Sequence, residues 1–421
     1  MLVHRLALRN LLRNRRRSLL TALIVVSTIA MMTVFQGLSD GGHRAMIDVG
    51  VRMGLGDLLL HQQGYVDDPS LQRLVPHTSE RVAHLRTVLG AELHQVVPRL
   101  HLNALVQAGG NTVAITVSGV SPAEEVQVSG IADQQAIVDG HTLAHDEAQA
   151  RTGLPGIVLG ERLAQALGVA LGDRVTLTVK PATGSTFARE AFQLVGVFRT
   201  GMQEFDSFWA EVALSRAQSL AGVHDQASVI ALYLDDVRRI DTVARHVSDL
   251  VASEGLQLQR WSEAAPELQS AVALDAAGMS LLQWIVFIVV AAGILNTVVL
   301  SVMHRAREFG VMLALGSPPS VVVRVVLLEA CYLSLASLLL GLAIGLGVHQ
   351  HFAEQGLNFR EIFGTSLEAG GVLLPDRFYS VLSPHKVALS AAFVFALTLL
   401  VSVLPAFRAG RQPPLKTLRH V

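Results

Sequence analysis

The feature that most constrains this chain is a set of four long apolar runs. The hydrocarbon core of a bilayer is about 30 Å thick and takes about 20 apolar residues in helical form. Residues 19–38, 276–303 and 387–407 contain no charged side chain, and 321–348 is charge-free from Ala330 to Val348. Only 16% of the residues are charged, against about a quarter in an ordinary soluble domain. The expected fold class is therefore integral membrane α-helical, with four transmembrane helices. Residues 39–275 interrupt the first two runs with ordinary soluble composition and mixed strand and helix patterns. They are expected to form a large α+β extracytoplasmic domain.

Orientation follows from the basic residues, which favour the cytoplasmic side. Arg5, Arg9, Arg13, Arg15, Arg16 and Arg17 precede the first run with no acid among them. Arg305 and Arg307 follow the second, and Arg408, Arg411, Lys416 and Arg419 follow the fourth. Four crossings with both termini cytoplasmic put all three clusters on one side. Segments 1–18, 304–320 and 408–421 then lie inside, and 39–275 and 349–386 outside. The first run is longer than the apolar part of a cleaved signal peptide and is expected to stay as an anchor.

Within 39–275, Asp57–His61 reads as a strand and Ser79–Leu89 as a helix. Leu105–Val120 reads as a hairpin turning at Gly109-Gly110-Asn111. Residues 160–168 read as a short helix closed by glycine, followed by the strand Arg174–Lys180. Further strands are expected at Phe192–Phe198 and Ser228–Leu234, and a helix at Val237–Glu254, in two lobes. Pro266 opens a helical pattern that runs into the second span, which predicts a helix projecting beyond the membrane. No structure is assigned to 349–386.

Several chemistries are excluded or unsupported. The three lysines, Lys180, Lys386 and Lys416, follow Val179, His385 and Leu415. The Gly-Lys-Ser/Thr phosphate loop is therefore absent, and ATP and Mg would have to be bound by a partner. His141 with His145, and His349 with His351, lack an evident third ligand, so no metal site is expected. Cys331 is the only cysteine, which excludes an intrachain disulfide. A net charge of −1 does not suggest a nucleic acid as partner. Arg324 and Glu329, near the start of the third span, read as interfacial side chains that snorkel, with a proton relay as the functional alternative. Gly341, Gly345 and Gly347 suggest close helix approach.

The link between the second and third spans carries the most specific motif. It reads Arg305-Ala306-Arg307-Glu308-Phe309-Gly310, then Val311-Met312-Leu313-Ala314-Leu315-Gly316. This resembles the signature of ABC transporter permeases of the FtsX/MacB/LolC-LolE type. The opening Ala7–Asn14 and the ending from Leu404-Pro405-Ala406-Phe407 resemble the same family. Gly64-Tyr65 to Asp68-Pro69 and Phe198-Arg199-Thr200-Gly201 resemble its lipoprotein-releasing branch. Pro318-Pro319 departs from the pattern, where basic or polar residues are common.

The resemblance implies a MacB-like periplasmic core domain at 39–275 and an FtsX-like permease domain at 284–415. It implies a bacterial inner-membrane subunit that is itself non-catalytic. A separate ABC ATPase would dock on a coupling helix, and a second permease copy or paralogue would complete a dimer. The ATPase-coupling residues would be Arg305, Arg307, Glu308, Phe309, Gly310, Leu313, Leu315 and Gly316. Phe309 would fill an apolar groove of the ATPase, and Gly316 would end the helix in left-handed backbone. In the lipoprotein branch, lipid-anchored cargo enters from the outer leaflet and passes to a periplasmic carrier. Met31, Met32, Val34, Phe35, Leu282, Trp284 and Ile285 are the candidates for contact with acyl chains, with core packing an equal alternative. Drug or peptide efflux of the MacB kind, and FtsX-like transmembrane signalling, are the alternative functions.

Overall fold

The computed structural model describes residues 2–13, 15–145, 152–251, 254–358 and 377–411, with the short pieces 361, 364, 368–369 and 372–373. Lys416, Arg419 and most of the expected tail lie outside the described residues. Among the described residues, the α-helices of seven residues or more are, in chain order, α1 (Leu2–Arg13), α2 (Arg15–Gly50), α3 (Thr78–Leu89), α4 (Glu161–Leu167) and α5 (Leu214–Ala221). They continue with α6 (Ile240–Val251), α7 (Pro266–His304), α8 (Ala306–Ala314), α9 (Pro319–Gln355) and α10 (Pro384–Gly410). The chain divides into two compact units, residues 1–44 with 273–365 and 376–421, and residues 45–272 with 366–375.

The first unit is helical. Helices α2, α7, α9 and α10 are each long and apolar enough to cross a membrane. Three of them outrun their apolar cores. Helix α2 has 36 residues, α7 has 39 and α9 has 37, roughly 55 Å each at 1.5 Å per residue. The extension of α7 was expected from Pro266. That of α2 was not, because Asp40, His43 and Arg44 end the apolar run without ending the helix. Cross-helix pairs hold these polar turns: His43 Nε2 lies 2.7 Å from Asp275 of α7, and Asp40 takes Lys386 of α10 at 2.6 Å. Val25, Ile29 and Met32 of α2 pack with Phe287, Val290 and Ile294 of α7 and Val394 of α10. Gly341 and Gly345 let α9 approach α2 closely. A methyl on Gly341 would meet the Val26 carbonyl at 2.9 Å, and one on Gly345 the Ala30 carbonyl at 3.1 Å. Gly347 has no such neighbour.

The second unit is α+β. Its strands are β1 (Leu58–Gln62), β2 (Val75–Pro76), β3 (Leu93–Ala108), β4 (Asn111–Val120), β5 (Ile137–Gly140) and β6 (Gly156–Gly160). They continue with β7 (Arg174–Val179), β8 (Ala188–Phe198), β9 (Trp209–Ala213), β10 (Gln226–Ala227), β11 (Val229–Leu234) and β12 (Leu256–Arg260), and a separate two-residue pair joins Glu368–Ala369 to Val372–Leu373. One lobe is the antiparallel sheet β12-β1-β11-β3. Alternation along its strands sends Leu58, Leu60, Ile230 and Leu232 to one face, against Val82 and Leu85 of α3 and Val243 and Val247 of α6. Leu59, Val229, Ala231 and Tyr233 point to the other face. The second lobe is a ring of strands, because β7 closes the path β3-β4-β9-β6-β8 by pairing with both β8 and β3. Leu100, Leu102, Val117, Leu159, Leu177 and Phe192 fill its core. The 16-residue β3 belongs to both lobes: Leu93–Arg99 pair with β11, and Leu100–Ala108 with β4. The β3–β4 hairpin turns through Gly109 and Gly110, with Ala108 opposite Asn111.

Candidate functional site

The Arg305–Gly316 motif forms a bend and the short helix α8. Arg305 leaves helical geometry at φ −106°, ψ 10°, and so breaks α7 from α8. Helix α8 is amphipathic in two different senses. Phe309 is 1% exposed and packs with Val302, Val322, Val326, Ala406 and Ala409 of the chain's own helices. Gly310 is buried too, and Met312 and Leu313 pack against the same cluster. On the opposite face, Arg307, Glu308, Val311, Ala314 and Leu315 are exposed, Leu315 at 82%. The helix then stops at Gly316, whose φ is +86°. Ser317 N–H donates to the Met312 carbonyl at 3.0 Å and Gly316 N–H to the Leu313 carbonyl at 3.1 Å. This satisfies the last carbonyls in the manner of a glycine C-cap.

The reading of Phe309 as an anchor in a partner's groove is therefore corrected. A ring already enclosed by apolar side chains of three neighbouring helices has no surface left to give. The exposed apolar ridge on α8 is Val311, Ala314 and Leu315, with Arg307 and Glu308 beside it.

The reading of Glu329 as an interfacial side chain is also corrected. Glu329 is 7% exposed and Arg305 is 6% exposed. Arg305 Nη1 donates to both carboxylate oxygens of Glu329 at 2.8 Å. Its Nε donates to Glu308 at 3.1 Å, and its guanidinium lies 4.9 Å from the centre of the Phe309 ring. Asn10 of α1 donates to Glu329 at 2.8 Å, and Arg13 pairs with Glu308. Arg324, by contrast, is exposed. Neither charge in the pair lies near the other in sequence, but a single acid inside an apolar run, as Glu329 is, is a signal for a basic partner.

The candidate lipid contacts separate into two groups. Met31, Phe35, Leu282, Trp284 and Ile285 are exposed on the first unit. Met32 is 8% exposed and belongs to the core cluster, and Val34 is half-buried. Helical geometry explains the split, since neighbours in sequence point about 100° apart. Trp284 sits edge-on to Phe287 and Phe393, at 5.8 and 5.5 Å between ring centres.

A buried polar cluster in the second unit was not legible in the sequence. Arg99 of β3 donates to Glu125 at 2.7 Å, to the Gly54 carbonyl at 2.7 Å and to Tyr233 Oη at 2.9 Å. Burial alone would weaken its charge, but Glu125 and Tyr233 outweigh burial and hold the guanidinium protonated. Glu211 is buried beside this pair. Its carboxyl is pushed up to about 8 by burial and by the Glu125 charge, against a smaller opposing pull from Arg99. His101 is held down at about 4 by burial and by the Arg99 charge. Gly54 and Val51 belong to the π-helical turn Val51–Leu55 that follows α2, and Tyr233 Oη donates to the Val51 carbonyl at 3.3 Å. Among the described residues, no three His, Cys, Asp or Glu side chains gather as a metal site.

Comparison with known proteins places these features. Residues 18–250, more than half the chain, match the family model of the MacB-like periplasmic core domain, and residues 280–414 match that of the FtsX-like permease C-terminal region. The lipoprotein-releasing system transmembrane protein LolC of Neisseria meningitidis serogroup B is 22% identical over 95% of this chain and 92% of its own. LolE of Haemophilus influenzae is 25% identical over 82% of this chain and 83% of its own. The macrolide export ATP-binding/permease protein MacB of Azoarcus sp. is 25% identical over 98% of this chain and 58% of its own. The chain belongs to the FtsX-like permeases with a MacB-like periplasmic core domain, and is an ABC transporter permease of the LolC/LolE and MacB type.

Proposed function

We propose that this permease receives the motion of a separate ABC ATPase at α8 and relays it to its outer domain, releasing lipoproteins or lipids from the bacterial inner membrane. The observation that carries the first half is the two-faced helix α8. One face is locked into the chain's own bundle through Phe309. The other offers an apolar ridge, Val311, Ala314 and Leu315, with Arg307 and Glu308 beside it. Exposed apolar side chains with charged neighbours are the pattern of a docking surface. ATP and Mg belong to the ATPase in this reading, and the chain itself is non-catalytic.

The basic clusters before α2 and after α7 favour a topology with both termini cytoplasmic and residues 39–275 in the periplasm. Lipoprotein release is favoured by the relatives LolC and LolE, which match along most of both chains. In that branch the exposed Met31, Phe35, Leu282, Trp284 and Ile285 face acyl chains, a second permease copy or paralogue completes the dimer, and a periplasmic carrier takes the cargo. The match to MacB, over 98% of this chain and 58% of MacB's own length, supports efflux of drugs or peptides as the second reading.

Leu315→Asp puts a charge on the ridge without touching the bundle. With the ABC ATPase co-expressed, it is expected to reduce ATPase co-purification at least tenfold, while membrane insertion stays normal. A single apolar anchor at an interface is worth about 2 kcal/mol or more. Wild-type co-purification of the variant would remove α8 as the docking element. Photo-crosslinkers at 31, 282 and 284 separate the cargo readings: capture of acylated protein supports release, and capture of small hydrophobic solutes alone supports efflux.

A further inference from the structure

We propose that Arg305 and Glu329 form a pin that makes α8, α9 and α1 move as one piece. The proposal rests on α8 being the docking element. Arg305 is the residue at which the backbone leaves α7, so it stands at the joint that any displacement of α8 must work against. Its side chain is nevertheless held on every side. Nη1 donates to both oxygens of Glu329, Nε holds Glu308, and the flat face lies over Phe309.

Helix α1 is tied to the same group by three struts. Asn10 donates to Glu329, Arg13 pairs with Glu308, and His4 Nδ1 lies 2.7 Å from Tyr332 Oη of α9. Arg13 and Arg305 balance Glu308 and Glu329 in charge, so the network is neutral as a whole. The N-terminal helix is thus more than a basic anchor ahead of the first span.

The contrast with the neighbouring contacts assigns the role. Phe309 meets Val302, Val322, Val326, Ala406 and Ala409 through apolar surfaces. Such contacts are non-directional, and they resist separation more than sliding. Charge-assisted hydrogen bonds, such as those from Arg305 to Glu329 and Glu308, are directional and weaken as their donors and acceptors move out of line. Of the contacts α8 makes, the ion pair is the one suited to transmit a sideways displacement to α9.

Beside the pair lies a cavity of about 40 Å³, lined by Glu329 together with Ser18, Thr21, Ser301, Ser334 and Ser402. Ser334 Oγ is buried there with no hydrogen-bond partner among the described residues. Apolar side chains, Val25 and Val326 among them, complete a mixed lining, with room for about one water beside the carboxylate.

The test uses the full-length chain in lipid nanodiscs, first alone and then with its ATPase. Alone, Glu329→Gln is expected to speed amide exchange across residues 306–314 at least tenfold. Asn10→Ala should speed it by a smaller factor, and Arg305→Lys, which keeps the charge but loses the Nε bond to Glu308 and the flat contact with Phe309, by an intermediate one. With the ATPase, spin labels at positions 35 and 285 report the wild-type response to a non-hydrolysable nucleotide. Glu329→Gln is expected to retain ATPase binding and to lose at least half of that response. Unchanged exchange in Glu329→Gln, or a full nucleotide response with the pair broken, overturns the pin. If Glu329→Gln does not insert, Asn10→Ala and Arg305→Lys decide by the same two measurements. Failure of the wild type to bind the ATPase would refute the docking role instead, and the exchange experiment would still decide whether the pair fixes α8.

Discussion

Among the described residues two arginines, Arg99 and Arg305, are buried with carboxylates, and both hold the backbone where a long helix ends. Arg99 grips the π-helical turn after α2 through the Gly54 carbonyl, with Tyr233 on Val51. Arg305 is the bend that ends α7. The surroundings differ. Arg99 projects from the middle of β3, a strand hydrogen-bonded on both sides, and pairs with a glutamate that is itself 2% exposed. Arg305 stands in non-helical backbone, its partner Glu329 borders a small cavity, and the other of its two acids, Glu308, is exposed. The same ion pair thus serves as a fixed anchor in a sheet and as a joint between helices. What the arginine is attached to decides which.

The largest expected effect tests that contrast directly. Arg99→Met removes the cation from a buried carboxylate and leaves Glu125 and the Gly54 carbonyl without their donor. Breaking a buried pair from one side costs about 3–5 kcal/mol. Denaturant unfolding of the full chain, followed by Trp209 and Trp261 fluorescence, should show the outer domain destabilised by that order. Arg305→Met should leave the same transition near wild type and loosen α8 and α1 against α9. Equal collapse of the outer domain in both variants would erase the distinction between anchor and joint.

A smaller effect, confined to the anchor, is its pH dependence. Glu211 binds its proton more tightly when folded, at about 8 against an ordinary 4.5. Stability from this group is complete below about 4.5 and is lost as pH rises through 8. His101 acts in the opposite direction. Its folded value of about 4 lies below the ordinary 6.5, so its contribution grows as pH rises across that window. The two oppose one another up to about 6.5, and between about 6.5 and 8 Glu211 acts alone. The outer domain should therefore lose stability over that range, by at most about 2 kcal/mol at about 1.4 kcal/mol per unit. Glu211→Gln should flatten it. A slope that persists in the variant would show that another group, and not Glu211, sets it.

Local order was largely legible in the sequence, and long-range partnership was not. Apolar runs marked the four spans because they need no partner to be recognised. The hairpin at Gly109-Gly110 and the short helix ending at Gly168, φ +69°, were legible from glycine chemistry. The first half of β3 was missed because His94, Gln95, Arg99 and His101 break its alternation, and Arg99 and His101 belong to the buried cluster. The buried face of α8 was misread for a related reason. Helix periodicity shows that Phe309, Met312 and Leu313 share a face. It does not show that Val322, Val326, Ala406 and Ala409 come from distant parts of the chain to cover it.

The smallest expected effect compares the glycines at the two helix ends. Gly316, after α8, has φ +86° and open space around it, so a methyl there would touch nothing within 4 Å. Gly56, after the π-helical turn, has φ +64°, and a methyl there would lie 3.1 Å from both Ala231 Cβ and the Leu232 carbonyl. Gly316→Ala should carry only the cost of a left-handed backbone for an L-residue, about 1 kcal/mol. Gly56→Ala should add crowding to the same strain and cost more. Amide exchange at Leu315–Ser317 and at Asp57, whose N–H donates to the Leu232 carbonyl at 2.9 Å, reads the two locally. The joint should tolerate its substitution with exchange confined to the last turn of α8. The anchor should pass its strain into β1 and β11, because Gly56 is walled in by their backbone. Equal and purely local responses at both positions would show that the end of α2 is held no more firmly than that of α8.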